Sequence, residues 1–211
     1  MSAVRVGWLH ELPAEPWKNG GGTTRTLAQG GPDAQGKPGW RVSLADIARD
    51  GAYSSFVGQQ RHSLILNGEG VDLADGDTQL ALRRHQPVAY AGAPAWDATL
   101  VDGPVRALNV MVDETRFGAS IESVVESVTS AQQVSASEVR LIVAFNQEGQ
   151  LDAADTSLRL HAGEFAVDTT AIEPFLLAQA GTAQAGTLAL IRIWPLADTA
   201  PGLASPRKTD S

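Results

Sequence analysis

This sequence predicts an all-β protein of short strands. Three observations carry that reading. Gly (21) and Pro (11) punctuate the chain at close intervals, brief runs alternate apolar with polar residues, and strong helix-forming runs are scarce. With 43 % hydrophobic and 19 % charged residues, the composition is that of a folded chain. A length of 211 residues suits one large domain or two small fused ones.

Val4 to Leu9 reads as a first short strand. A polar, glycine-rich segment follows, Pro16-Trp17-Lys18-Asn19-Gly20-Gly21-Gly22-Thr23-Thr24-Arg25, and Gly30 to Gly39 reads as a loop. Trp40 to Ala45 alternates as a strand does, with Arg41 and Ser43 on one face. Asp50-Gly51 marks a turn. Ser63 to Leu66 is an apolar run closed by Asn67-Gly68, a strong hairpin signal. Val71 to Leu73, Gln79 to Leu82, Val88 to Tyr90 and Val105 to Val112 read as further strands. Periodicity leaves Ile121 to Val128 as either a strand or a short helix.

Part of the chain resembles another part. Leu64-Ile65-Leu66-Asn67-Gly68-Glu69-Gly70 is similar to Leu141-Ile142-Val143-Ala144-Phe145-Asn146-Gln147-Glu148-Gly149. Asp77 to Leu82 is similar to Asp155 to Leu160, in the same order. Two amphipathic strand–turn–strand pieces can look alike by chance, but the kept order favours duplication of one β unit. Closely spaced strands, Gly-x-Gly turns and two copies point to a double-stranded β-helix of the jelly-roll kind, with two barrels in one chain. The expected division is a first barrel over 1–128 with the ligand pocket, a second, degenerate barrel over 129–195, and a loose tail over 196–211. The first and last segments are expected to complete each other's sheets, because edge strands need cover.

The formal charge of −8 argues against nucleic acid and anionic lipid as partners. With no Cys, disulfides, thiol nucleophiles and Cys-based metal sites are excluded. No signal-like segment opens the chain and no run approaches membrane-helix length, so a cytoplasmic protein is expected.

The Gly68-Glu69-Gly70 turn after an apolar strand resembles the first cupin motif, in which a His pair and a Glu face into the barrel. Set on Gly68, that motif places its carboxylate ligand at Arg61 and its His pair within Ser54 to Val57, where no His stands. Its later His falls near Ala95 or Trp96. His10, His62, His85 and His161 are too scattered to form ligand pairs, so no metal and no other cofactor is expected. A guanidinium at that position suits an anion, most simply a carboxylate. Alternatively Arg61 turns to solvent or pairs with Glu69 or Asp72.

The Pro16 to Arg25 segment, together with Trp40 to Ile47, Asp50-Gly51, Ser54-Ser55-Phe56, Gly58 and Asp102 to Met111, resembles the HutD/Ves family over about residues 4 to 112. Ala107 departs from that pattern, where an acidic residue is usual. The resemblance implies a small bacterial bicupin without a bound metal. It also implies a link to histidine-utilisation genes, with modulation of that pathway's expression or flux.

The residue chemistry agrees with a ligand site. Three consecutive glycines, Gly20, Gly21 and Gly22, let backbone approach a ligand and offer N–H groups as an anion nest. Lys18 supplies charge, Asn19 a donor and an acceptor, and Trp17 an apolar wall. A phosphate loop fits poorly, since Lys18 precedes the glycines and no helix start follows. Arg25 alternates with Thr23 on a strand leaving the loop. Asn109 sits within an apolar strand, so it meets either a ligand or a buried structural partner. The expected site is Trp17, Lys18, Asn19, Gly20, Gly21, Arg25, Arg61 and Asn109, converging on one pocket for a small carboxylate. Urocanate and a formylated glutamate derivative are the candidates the resemblance supplies. This favours a binding protein. The alternatives are a metal-independent isomerase, lyase or hydrolase with Lys18 as acid or base, and a protein-interaction module. The oligomeric state stays open, a homodimer included.

Overall fold

In a computed structural model the structure describes residues 4–124, 127–130, 137–153, 156–168, 175–180 and 187–197. The described residues form nineteen strands and no helix. The first eleven are β1 (Val4–Trp8), β2 (Glu15–Pro16), β3 (Gly22–Gly30), β4 (Trp40–Ile47), β5 (Gly51–Ala52), β6 (Gln59–Asn67), β7 (Gly70–Asp75), β8 (Thr78–Arg83), β9 (Val88–Ala91), β10 (Asp97–Leu100) and β11 (Val105–Asp113). The rest are β12 (Phe117–Val124), β13 (Ser127–Ser130), β14 (Val139–Phe145), β15 (Glu148–Ala153), β16 (Thr156–Leu160), β17 (Glu164–Asp168), β18 (Phe175–Ala180) and β19 (Thr187–Pro195). The stretch from Ile121, open between strand and helix, lies in β12 and β13, with 125 and 126 outside the described residues.

Four sheets result. A six-stranded sheet runs β2-β3-β4-β11-β6-β9 and a four-stranded sheet β5-β10-β7-β8. A five-stranded sheet runs β1-β17-β14-β19-β12 and a second four-stranded sheet β13-β18-β15-β16. Strands β4 to β11 and β12 to β19 follow the same order, so β6 corresponds to β14 and β11 to β19. The similarity of Leu64-Ile65-Leu66 and Leu141-Ile142-Val143 falls on that pair.

Period-2 alternation gives β6 two apolar faces. Leu64 and Leu66 turn to the five-stranded sheet, packing in one core with Leu44, Leu108 and Val110 on their side and Leu141, Val143, Phe165 and Ile191 opposite. Ile65 turns the other way, into a core with Val71, Leu73, Tyr90 and Trp96. A third core, with Ile142, Leu151, Leu160 and Leu177, lies between the five-stranded sheet and its four-stranded partner.

Strand pairing does not follow the expected division at residue 128. β1 pairs with β17, Val4 opposite Asp168, and β12 pairs with β19, Phe117 opposite Pro195. Both therefore belong to the sheets of the C-terminal half. The partner of the first strand is β17 and not the last strand, β19, which lies inside its sheet. The tail beyond 197 lies outside the described residues.

Candidate functional site

One face of the six-stranded sheet, the side that carries Ile65, forms the floor of a cavity of about 540 Å³. Strand register lays its side chains in rows. Arg41, Met111, Arg61 and Tyr90 stand opposite one another across β4, β11, β6 and β9. The next row holds Ser43, Asn109 and Ser63. The walls include Trp17, Lys18, Tyr53, Ser54 and Phe56.

Arg61 points into this cavity, at the position where the motif comparison put a cupin carboxylate. It pairs with neither Glu69 nor Asp72; Asp72 pairs with Arg83 at 2.6 Å. Arg61 is only 8 % exposed, and its guanidinium lies 5.2 Å from the Tyr53 ring, 5.8 Å from Phe56 and 5.3 Å from Tyr90. Its Nη1 reaches the Ser54 carbonyl at 3.5 Å, the long limit of a hydrogen bond, and its Nε has no partner. Among the described residues no carboxylate lies within ion-pair distance of it. Cation–π attraction offsets part of the desolvation of this charge, but a buried cation without an anion is unfavourable.

Asn109 has a buried structural partner, one of the two that its sequence context allowed. Tyr90 Oη lies 3.0 Å from Ser63 Oγ, which donates to Asn109 Oδ1 at 2.6 Å. That structural chain leaves the Asn109 amide NH₂ as a donor at the cavity wall. Tyr53 is a further donor: burial, and less strongly Tyr90, push its phenol above the usual range, against the opposite pull of Arg61.

The glycine-rich segment is mostly tied up in itself. Trp17 Nε1 donates to Thr24 Oγ1 at 2.7 Å and its ring meets Tyr53 edge-on at 5.9 Å. Asn19 Nδ2 donates to the Ala52 carbonyl at 3.0 Å, fastening the segment to β5. The Gly20 N–H goes to the Trp17 carbonyl and the Gly21 N–H to Asn19 Oδ1, both at 2.9 Å. The expected anion nest is therefore spent on the turn, and neither Gly20 nor Gly21 lines the cavity. Gly20 is needed for its φ of +66°, and Gly22 because a Cβ there would meet the Asp46 carbonyl at 2.3 Å. Lys18 stands exposed at the mouth, near Glu15 in the lining.

Arg25 does not join the site. Thr24 lines the cavity, so its neighbour Arg25 faces the other side of the sheet, where it pairs with Asp46 at 2.6 Å. Arg106 holds the other oxygen of the same carboxylate. Of the eight expected residues, Trp17, Lys18, Asn19, Arg61 and Asn109 line one cavity, and Gly20, Gly21 and Arg25 do not. Arg41, Ser43 and Tyr53 also line the cavity and are not among the expected residues, although the alternation of Arg41 with Ser43 already puts those two on one face. Among the described residues no group of three His, Asp or Glu is placed to hold a metal.

Comparison with known proteins gives the kinship. The chain is 32 % identical over 123 residues to an uncharacterised 21.2 kDa protein in the hutC 3' region of Pseudomonas putida, covering 58 % of this chain and 65 % of that one. It is 34 % identical over 116 residues to protein Ves of Citrobacter koseri, covering 54 % and 60 %. The chain thus spans less than two thirds of the length of these curated relatives. The solved structure of HutD from Pseudomonas fluorescens SBW25 superposes with a TM-score of 0.75 at 26 % identity, over 92 % of this chain and all of that one. A cupin barrel protein from Leptotrichia buccalis matches with a TM-score of 0.55 at 10 % identity, over 93 % and 98 %, which shows a cupin-like fold. The HutD family model matches residues 9–185, and the chain belongs to that family.

Proposed function

We propose that this protein is a bicupin that binds a small carboxylate, without a metal, in the cavity around Arg61. In this reading it senses or buffers an intermediate of histidine degradation, of the urocanate or formylglutamate class, in the cytoplasm. It thereby modulates histidine utilisation, a role its kinship with HutD and with the hutC-region protein supports. The observation that carries the binding site is the buried Arg61 guanidinium, which lacks a carboxylate among the described residues and opens on a cavity rich in donors. An enzyme with Lys18 as acid or base has less support, because Lys18 stands exposed to solvent.

Titration calorimetry with urocanate and formylglutamate tests the reading. The expected result is binding without turnover, weakened about ten- to hundred-fold in Arg61→Ala, as loss of a charge-assisted contact implies. Equal affinity in wild type and Arg61→Ala, or consumption of either acid, overturns it.

A further inference from the structure

Among the described residues, two arginines line the cavity without an acidic partner. Arg41 of β4 and Arg61 of β6 both stand opposite Met111 of β11, so they share one row two strand spacings apart, about 10 Å between backbones. Arg41 Nη2 reaches Met111 Sδ at 3.8 Å, a weak acceptor, and among the described residues no carboxylate is within ion-pair distance of Arg41. The row therefore reads cation, apolar thioether, cation. Two like charges on one wall repel unless anions stand beside them. Lys18, Arg41 and Arg61 face one carboxylate in the lining, Glu15, which leaves a double positive charge. A monoanion answers only one arginine, whereas a dianion with an apolar middle matches the whole row.

We propose that the cavity selects a short dicarboxylate, with one carboxylate on Arg61, its methylene chain over Met111 and the second carboxylate on Arg41. This rests on the reading of the cavity as a carboxylate site and makes Arg41 its specificity-determining residue. Of the neutral donors in the next row, Asn109 then faces the middle of the ligand, where a short polar substituent fits, and Ser43 stands beside the carboxylate on Arg41.

Calorimetry with acids of matched length, glutarate against valerate and adipate against hexanoate, tests the inference on the intact chain. Wild type should bind each dicarboxylate about ten- to hundred-fold more tightly than its matched monocarboxylate, the worth of one charge-assisted contact. Arg41→Gln should erase that preference, lowering dicarboxylate affinity far more than monocarboxylate affinity. Arg41→Lys, which keeps the charge, should retain part of it. Equal binding of the paired acids by wild type, or a preference that survives in Arg41→Gln, overturns the dicarboxylate inference alone. Monocarboxylate binding that is indifferent to Arg61→Gln overturns the underlying site.

Discussion

Arg61 holds its charge in a position where stability alone would not put it. Three aromatic rings surround the guanidinium within 5.8 Å and its Nε lacks a partner. Uncompensated burial of this kind costs about 1–3 kcal/mol. Arg61→Met, which keeps a long apolar stem, should raise the stability of the ligand-free protein by about that amount while abolishing carboxylate binding. Urea melts of both proteins, read beside calorimetry, check this; a destabilised variant would show that Arg61 is structural. The position of Arg61 was legible because a motif register fixes which side chain faces a barrel interior. Arg25 shows the limit of the same logic. Alternation pairs it with Thr23, but only the tertiary fold shows that this face carries Asp46 and not the cavity. The glycine N–H groups were misread for a related reason. A turn spends its own donors first, and that spending depends on φ values a sequence does not display.

At the scale of the strand, the two halves treat one position in opposite ways. Glu138 stands three residues before Leu141, as Arg61 stands three before Leu64. Glu138 is buried and accepts from Arg140 Nε at 2.9 Å and from Arg192 Nε at 2.7 Å. The C-terminal half thus carries its own carboxylate, held by two arginines, where the N-terminal half offers a free guanidinium. Removing Glu138 leaves the buried Arg140 without this partner. Glu138→Ala should therefore cost about 3–5 kcal/mol, whereas exposed pairs such as Arg159 with Glu148 contribute little. Denaturant midpoints of Glu138→Ala and Arg159→Ala make the comparison, and equal small losses would contradict it. The strands with clear alternation or a hairpin signal, such as β4, β6 and β11, were readable from residues. β10 was not, because four residues without a turn dipeptide carry too little period, and the place of β1 was not, because edge pairing is set by a partner far along the chain.

For the whole molecule the deciding feature is the apolar layer between the six-stranded and five-stranded sheets. His62, paired in register with Val110, lies on that inner side and is 8 % exposed. Burial lowers its pKa below the ordinary 6.5, so the folded protein keeps the ring neutral. The unfolded chain takes up a proton first as pH falls below about 6.5, and stability is lost from there downward until the folded ring also titrates. His62→Gln should flatten the acid side of a plot of melting temperature against pH; an unchanged slope would refute the assignment. The same layer decides whether the halves can fold apart. Leu64, Leu108 and Val110 on one sheet and Leu141 and Ile191 on the other are wholly buried only against each other. Each such side chain is worth about 1.5–3 kcal/mol on burial, so the few named here already approach the margin that keeps a domain folded. The chain crosses this layer at both β1 and β12, which binds the halves further. The sequence showed the repeat but not this sharing, since apolar residues on both faces of β6 look alike whichever sheet covers them. The full chain should therefore melt in one transition. A fragment of residues 10–114, which holds β2 to β11 intact, should bind a hydrophobic dye and melt without cooperativity. A sharp melt of that fragment, or two separate transitions in the whole chain, would mean that the central layer is an interface between two self-sufficient units.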